Sequence, residues 1–136
     1  MFQQLPSYES TKSQALDLRA ELEATLPAGA PTVRDVENPI RCSDEAAQYG
    51  GTLTVGVAAD FDSAAWLDEA AALFEDRSGW RVEKKVAADG SSDATSGVAY
   101  FSDDGYYLRL DAATDGLGGD PVLVLSASGP CATKAE

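Results

Sequence analysis

The groups in this chain best able to do chemistry are two thiols, Cys42 and Cys131, set 89 positions apart. Paired thiolates either hold a metal or close into a disulfide. No CxxC spacing is present and the chain contains no His. A zinc ion would then need an unusual complement of carboxylate oxygens to complete its shell. Cys42 lies ahead of a strand-like segment, Gly51–Val57, and Cys131 lies just after another, Pro121–Leu125. Thiols at the margins of neighbouring strands come within disulfide reach if those strands lie close in one sheet. The other reading is two buried, unpaired thiols in a cytosolic protein. The bridge is the expectation taken here. In the chain-entropy model a loop of this length stabilises the fold by about 4–5 kcal/mol, and a bridge implies an oxidising, extracytoplasmic compartment.

Other chemistry is harder to assemble. Serines are plentiful, but no His is present to activate them, and Lys84 and Lys85 form no SxxK pattern. Paired carboxylates can do acid–base work. Among 23 acids, however, neighbours such as Asp103 and Asp104 arise by chance and read as solvated loop charges. No catalytic residue is therefore assigned, and the expectation is a protein that is not an enzyme and takes no cofactor. The Gly-rich stretch from Asp111 to Asp120 offers carboxylate and carbonyl oxygens to calcium, yet lacks the twelve-residue calcium-loop pattern and its closing Glu. No metal site is assigned to it. Tyr100, Tyr106 and Tyr107 cluster around a hairpin signal, Asp103-Asp104-Gly105, and alternation sends Tyr107 opposite to Tyr106. One of the two faces is then exposed. Tyr100, Tyr107 and Arg109 form a candidate protein-contact patch, although an ordinary antiparallel strand has the same appearance. Trp66 and Trp80 flank a helix and are expected to anchor it to a sheet.

The elements that must position these groups follow from periodicity. Ser7 opens a helical stretch with Tyr8, Ala15, Leu18, Leu22 and Leu26 on one side, ended by Pro27, Gly29 and Pro31. Residues 32 to 48 have no clear period, and Asn38-Pro39 and Ser43-Asp44-Glu45 read as loop. Leu53, Val55 and Val57 alternate along a strand. A second helix, capped by Asp62 or Ser63, carries Trp66, Ala70, Leu73 and Phe74, with Gly79 stopping it. Trp80–Val86, Val98–Ser102, Tyr106–Leu110 and Val122–Leu125 read as strands; the last, apolar on both sides, is expected at the centre of the sheet. Lys84 interrupts the apolar alternation of the first of these and points to an end near solvent. The order α-β-α-β-β-β-β predicts an α+β fold, a mostly antiparallel four- or five-stranded sheet with two helices packed on one face. Residues 1–6 are expected to be a disordered leader, 7–131 a single domain and 132–136 a disordered tail.

At 136 residues with a net charge of −13 and 44% hydrophobic content, the chain has the length of one domain and enough apolar residues for a core. The acidity argues against nucleic acid as a partner, since that binding rests on basic patches. No apolar run approaches the roughly 18 residues of a membrane-spanning helix. Met1–Pro6 lacks the basic and apolar regions of a signal peptide, so the sequence reads either as a cytoplasmic protein or as a mature exported domain; the cysteines favour the second.

The succession of a leading helix, a Cys, a strand, a Trp-bearing helix running into Gly79-Trp80-Arg81-Val82, the hairpin 98–110 and a terminal Ser128-Gly129-Pro130-Cys131 resembles small actinobacterial cell-envelope lipoproteins, including the LppA-like group. The resemblance spans residues 8 to 131 and rests on pattern, and no lipobox Cys precedes the helix. It implies a lipid-anchored domain outside the membrane, bridged cysteines and no established enzymatic activity. The resulting expectation is a monomeric, non-catalytic binding or accessory domain that meets another envelope protein and touches the membrane only through an N-terminal lipid anchor removed from this sequence. The alternative is an acidic immunity- or inhibitor-type protein that plugs a basic partner, for which −13 supplies electrostatic steering.

Overall fold

The computed structural model describes residues 7–86, 95–114 and 121–133. It contains two helices and one antiparallel sheet, confirming the α+β class, but the sheet has seven strands rather than four or five. Helix α1 spans Tyr8–Glu23 and α2 Ser63–Glu75. The strands are β1 (Thr32–Glu37), β2 (Ile40–Arg41), β3 (Ala46–Gly56), β4 (Trp80–Val86), β5 (Thr95–Ser102), β6 (Tyr107–Thr114) and β7 (Pro121–Thr133). Their spatial order is β1-β3-β7-β6-β5-β4, with β2 pairing the same edge of β3 beyond β1. The chain therefore leaves β3, crosses by way of α2 to the far edge, and returns as the meander β4-β5-β6-β7 to lie against β3. As its apolar character required, β7 is central and pairs on both sides.

Local chemistry sets the helix starts. Ser7 caps α1 by accepting from the Ser10 N–H at 3.1 Å, and Asp62 caps α2 by accepting from the Ala65 N–H at 3.0 Å. Helix α2 ends at Glu75, before Gly79, whose φ of 84° turns the chain into β4. Both helices cover one face of the sheet, α1 over β7 and β3, α2 over β5 and β4. The core lies between: Ala15, Leu18 and Leu22 of α1 and Leu67, Ala70 and Phe74 of α2 meet Leu53, Val55, Tyr100, Leu108, Leu110, Leu123 and Leu125. Each large side chain buried this way contributes about 1.5–3 kcal/mol.

Three expectations are corrected. Residues 32 to 48, which show no clear period, include strands β1 and β2, while Asn38-Pro39 and Ser43-Asp44-Glu45 do lie between strands. Strand β3 begins five residues before Gly51. The final strand continues eight residues past Leu125, so Ala132, expected in a disordered tail, is fully buried in β7. A bulge allows this continuation: Gln48 pairs with Cys131, whereas Gly50 pairs with Ser128. Ser7 forms a parallel bridge with Thr133. The expected leader 1–6, the turn 89–93 and residues 134–136 lie outside the described residues.

Candidate functional site

Cys42 and Cys131 form the disulfide, with Cα atoms 6.2 Å apart. Both residues are exposed, so the bridge is a surface clasp and not a staple through the core. Cys131 pairs with Gln48 of β3, and the Cys42 N–H donates to Ala46 O at 3.0 Å. The covalent link thus joins the end of β2 to β7 around the strand lying between them. An internal disulfide points to an oxidising, extracytoplasmic compartment.

Among the described residues no helix covers the opposite face of the sheet. Cross-strand register places its side chains in rows. One row runs Arg81, Phe101, Tyr107, Ser128, Gly50 from β4 to β3, and the next runs Glu83, Ala99, Arg109, Ser126, Thr52 and on to Val36 of β1. The guanidinium of Arg81 sits 4.3 Å from the Phe101 ring centroid, and the rings of Phe101 and Tyr107 are 5.1 Å apart. Arg109 donates to Asp111 from Nε at 2.9 Å and from Nη2 at 3.3 Å. Asp111 foremost, then Tyr107, keeps that guanidinium above its ordinary pKa. Beside Tyr107 is a shallow depression of about 280 Å³. Its floor is made of small residues (Gly50, Gly51, Thr52, Ser126, Ala127 and Ser128), and Asn38 and Ile40 form its far wall. Ile40 is 52% exposed. A Cβ at Gly50 would come 2.7 Å from the carbonyl oxygen of Asn38, so this part of the floor tolerates nothing larger than glycine.

Of the residues expected in a contact patch, Tyr107 and Arg109 do share this bare face. Tyr100 does not. It pairs with Leu108 on the core side, is fully buried under α2, and its ring lies 5.1 Å from that of Phe74. The aromatic beside Tyr107 is Phe101, and the floor of small residues from β3 and β7 has no counterpart in the sequence-based patch. Alternation would have supplied Thr52 from its strand, but Ser126 and Ser128 require β7 to run past Leu125.

The remaining candidates have structural places. Trp66 donates from Nε1 to the Thr25 hydroxyl at 2.7 Å, fastening α2 to the end of α1, while Trp80 packs edge-on against Phe74 at 4.9 Å. Lys84 reaches Asp68 of α2 at 3.6 Å from the edge strand. Asp104 accepts from the Ser102 hydroxyl within the β5–β6 turn. Glu37 accepts from Tyr8 Oη at 2.5 Å and meets Lys12 at 2.8 Å, tying β1 to α1. Arg19, almost fully buried, binds Glu23 at 3.0 Å and lies 3.9 Å from Asp35. Asp111, first acid of the Gly-rich stretch, is engaged by Arg109, and residues 115–120 lie outside the described residues. Among the described residues no cluster of three or more Cys, Asp or Glu gathers to hold a metal, and no helix is long and apolar enough to cross a membrane. Comparison of the chain with protein-family models, with curated proteins and with solved structures finds no match.

Proposed function

We propose that this chain is a non-catalytic, extracytoplasmic binding domain of the bacterial cell envelope that takes up another envelope protein on the bare face of its sheet. One observation carries the reading. A sheet clothed by helices on one side leaves a row of Arg81, Phe101 and Tyr107 beside Arg109 on the other, next to a floor of small residues. Aromatic and Arg side chains are the types that dominate protein interfaces. The surface disulfide supports an exported location, and the net charge of −13 repels anionic headgroups, holding the domain off a bilayer to which it is tethered at its N-terminus. The test is capture from an envelope extract with three baits: the unaltered chain, Tyr107→Ala and the helix-side variant Glu69→Ala. The same protein should be retained by the first and third and lost by the second. Retention by Tyr107→Ala with loss by Glu69→Ala would overturn the reading.

That opposite outcome belongs to a second reading, an inhibitor-type protein that grips a basic partner. The helices favour it: Glu9, Asp17, Glu21, Glu23, Asp68, Glu69 and Glu75 stand against only Lys12 and Arg19. Binding through this side weakens with every increase in salt.

A further inference from the structure

We propose that the Cys42–Cys131 bond is a thiol-exchange site, and that a dithiol reductant opening it releases residues 38–45 as a strap while the rest of the fold stays in place. The chemistry of the bond is independent of what the bare face binds.

The bond is open to attack. Antiparallel pairing aligns Ile40, Gln48 and Cys131 across β2, β3 and β7, so their side chains share one face of the sheet. That face is the bare one, because Ile40 lines its depression. Cys42 and Cys131 are both exposed there. A disulfide at the surface is within reach of a thiolate and belongs to the labile class, whereas one inside a core is shielded until the chain unfolds.

The segment held by the bond is fastened lightly. Every residue from 38 to 45 is exposed, so the strap contributes no side chain to the core. Strand β2 within it is two residues long. The ion pair of Arg41 with Asp44 and the bond from Glu45 N–H to Ser43 Oγ at 3.3 Å lie inside the strap. Backbone bonds join it to β3: Asn38 N–H donates to Gly50 O at 2.6 Å, and the N–H groups of Cys42 and Ser43 donate to Ala46 O at 3.0 and 3.1 Å. Solvent-exposed backbone bonds without buried apolar contacts mark the parts of a fold that open locally. Cys131 is placed differently. It sits in β7, which stays paired with β3 as far as Thr133, and its neighbour Ala132 is fully buried. Breaking the bond therefore frees the Cys42 side and leaves the Cys131 side fixed.

The exchange balances with the dithiol alone. One thiolate of the reductant attacks Cys131 Sγ; the S–S bond breaks, and its electron pair leaves on Cys42 Sγ, which takes up a proton. The second thiolate of the reductant attacks the mixed disulfide and frees Cys131 as a thiolate, protonated in turn. Two electrons and two protons pass to the protein, and the reductant is left as its own disulfide. Departure of the strap carries Cys42 Sγ away from Cys131 and so slows the return reaction. It also leaves Ala47 and Gln48 of β3 without their edge partners, and removes the Ile40 wall from the depression.

The experiment treats the intact oxidised chain with dithiothreitol in the absence of denaturant, quenches aliquots with iodoacetamide and weighs them. Both thiols should become alkylated while circular dichroism stays native, at a rate that does not change as urea is raised below the unfolding transition. Hydrogen exchange read by mass spectrometry should then show peptides covering residues 38–45 exchanging at least about tenfold faster in the reduced chain, with β5 and β6 still protected. Cys42→Ser/Cys131→Ser should give the same pattern without reductant. A bond that yields only as urea approaches the unfolding transition overturns the proposal. So does a reduced chain whose strap keeps its protection, or one that loses protection across the whole sheet.

Discussion

The hydroxyl of Tyr100 is buried with no hydrogen-bond partner among the described residues, an arrangement that costs stability. Burial, with Glu75 adding to it, drives its pKa strongly upward, so the phenol stays neutral. Tyr100→Phe removes the orphan oxygen and keeps the ring against Phe74. The expected outcome in urea unfolding is stability unchanged or raised by up to about 1 kcal/mol; a loss beyond 1 kcal/mol would mean that the hydroxyl has a partner. Gly51 presents the opposite case. A Cβ there would collide with the Tyr49 hydroxyl and come within 2.9 Å of Cζ in the same ring. Because Tyr49 is itself buried, Gly51→Ala should cost about 1–3 kcal/mol by the same assay. These residues also show what was legible. Alternation sends Tyr107 opposite to Tyr106, but the hairpin register that puts Tyr107 opposite Phe101 and Tyr100 opposite Leu108 is a separate quantity. A slip of one residue exchanges faces. Tyr107 and Arg109 therefore share the face away from the helices, while Tyr100 lies on the core side.

Helix α1 and strand β1 meet through Glu37, whose carboxyl is held below its ordinary pKa by Lys12 first and Tyr8 second. A carboxylate lowered by folding stabilises above its unfolded pKa, and that contribution is lost as pH falls through the folded value. The thermal midpoint of the unaltered chain should then exceed that of Glu37→Gln near pH 6 by about 1–3 °C, the scale of a largely exposed pair, with the gap closing toward pH 3. A gap that widens on acidification would contradict the assignment. The same seam explains why β1 was missed. It is an edge strand whose inward positions are Asp35 and Glu37, which meet Arg19 and Lys12 of α1 instead of a core. No apolar period was required, and none exists to be read. Strand β7 was cut short for another reason. Ser126, Ser128, Gly129 and Pro130 carry turn chemistry, yet the bulge opposite Gln48 and Gly50 absorbs the irregularity and pairing resumes at Cys131. Both helices, by contrast, were evident from their caps and their apolar spacing.

Covalent closure belongs to the molecule as a whole. The disulfide was recoverable from two cysteines near two strand signals, but its exposed position was not, because that depends on β2 and on the continuation of β7. Since the clasp lies at the surface, Cys42→Ser/Cys131→Ser opens no core cavity and acts through the unfolded chain. The double variant should lose about 4 kcal/mol of unfolding free energy in urea; a loss under about 1 kcal/mol would mean that the unfolded ensemble stays compact without the bond. The parallel bridge between Ser7 and Thr133 has a practical consequence. Ser7 and Thr133 stand side by side at one corner, so a short peptide joining them would close a ring, and a fresh opening at Asp104–Gly105 would leave the strand ladders intact. For the same reason the unit could be spliced into a surface loop of an unrelated host without prising that loop apart.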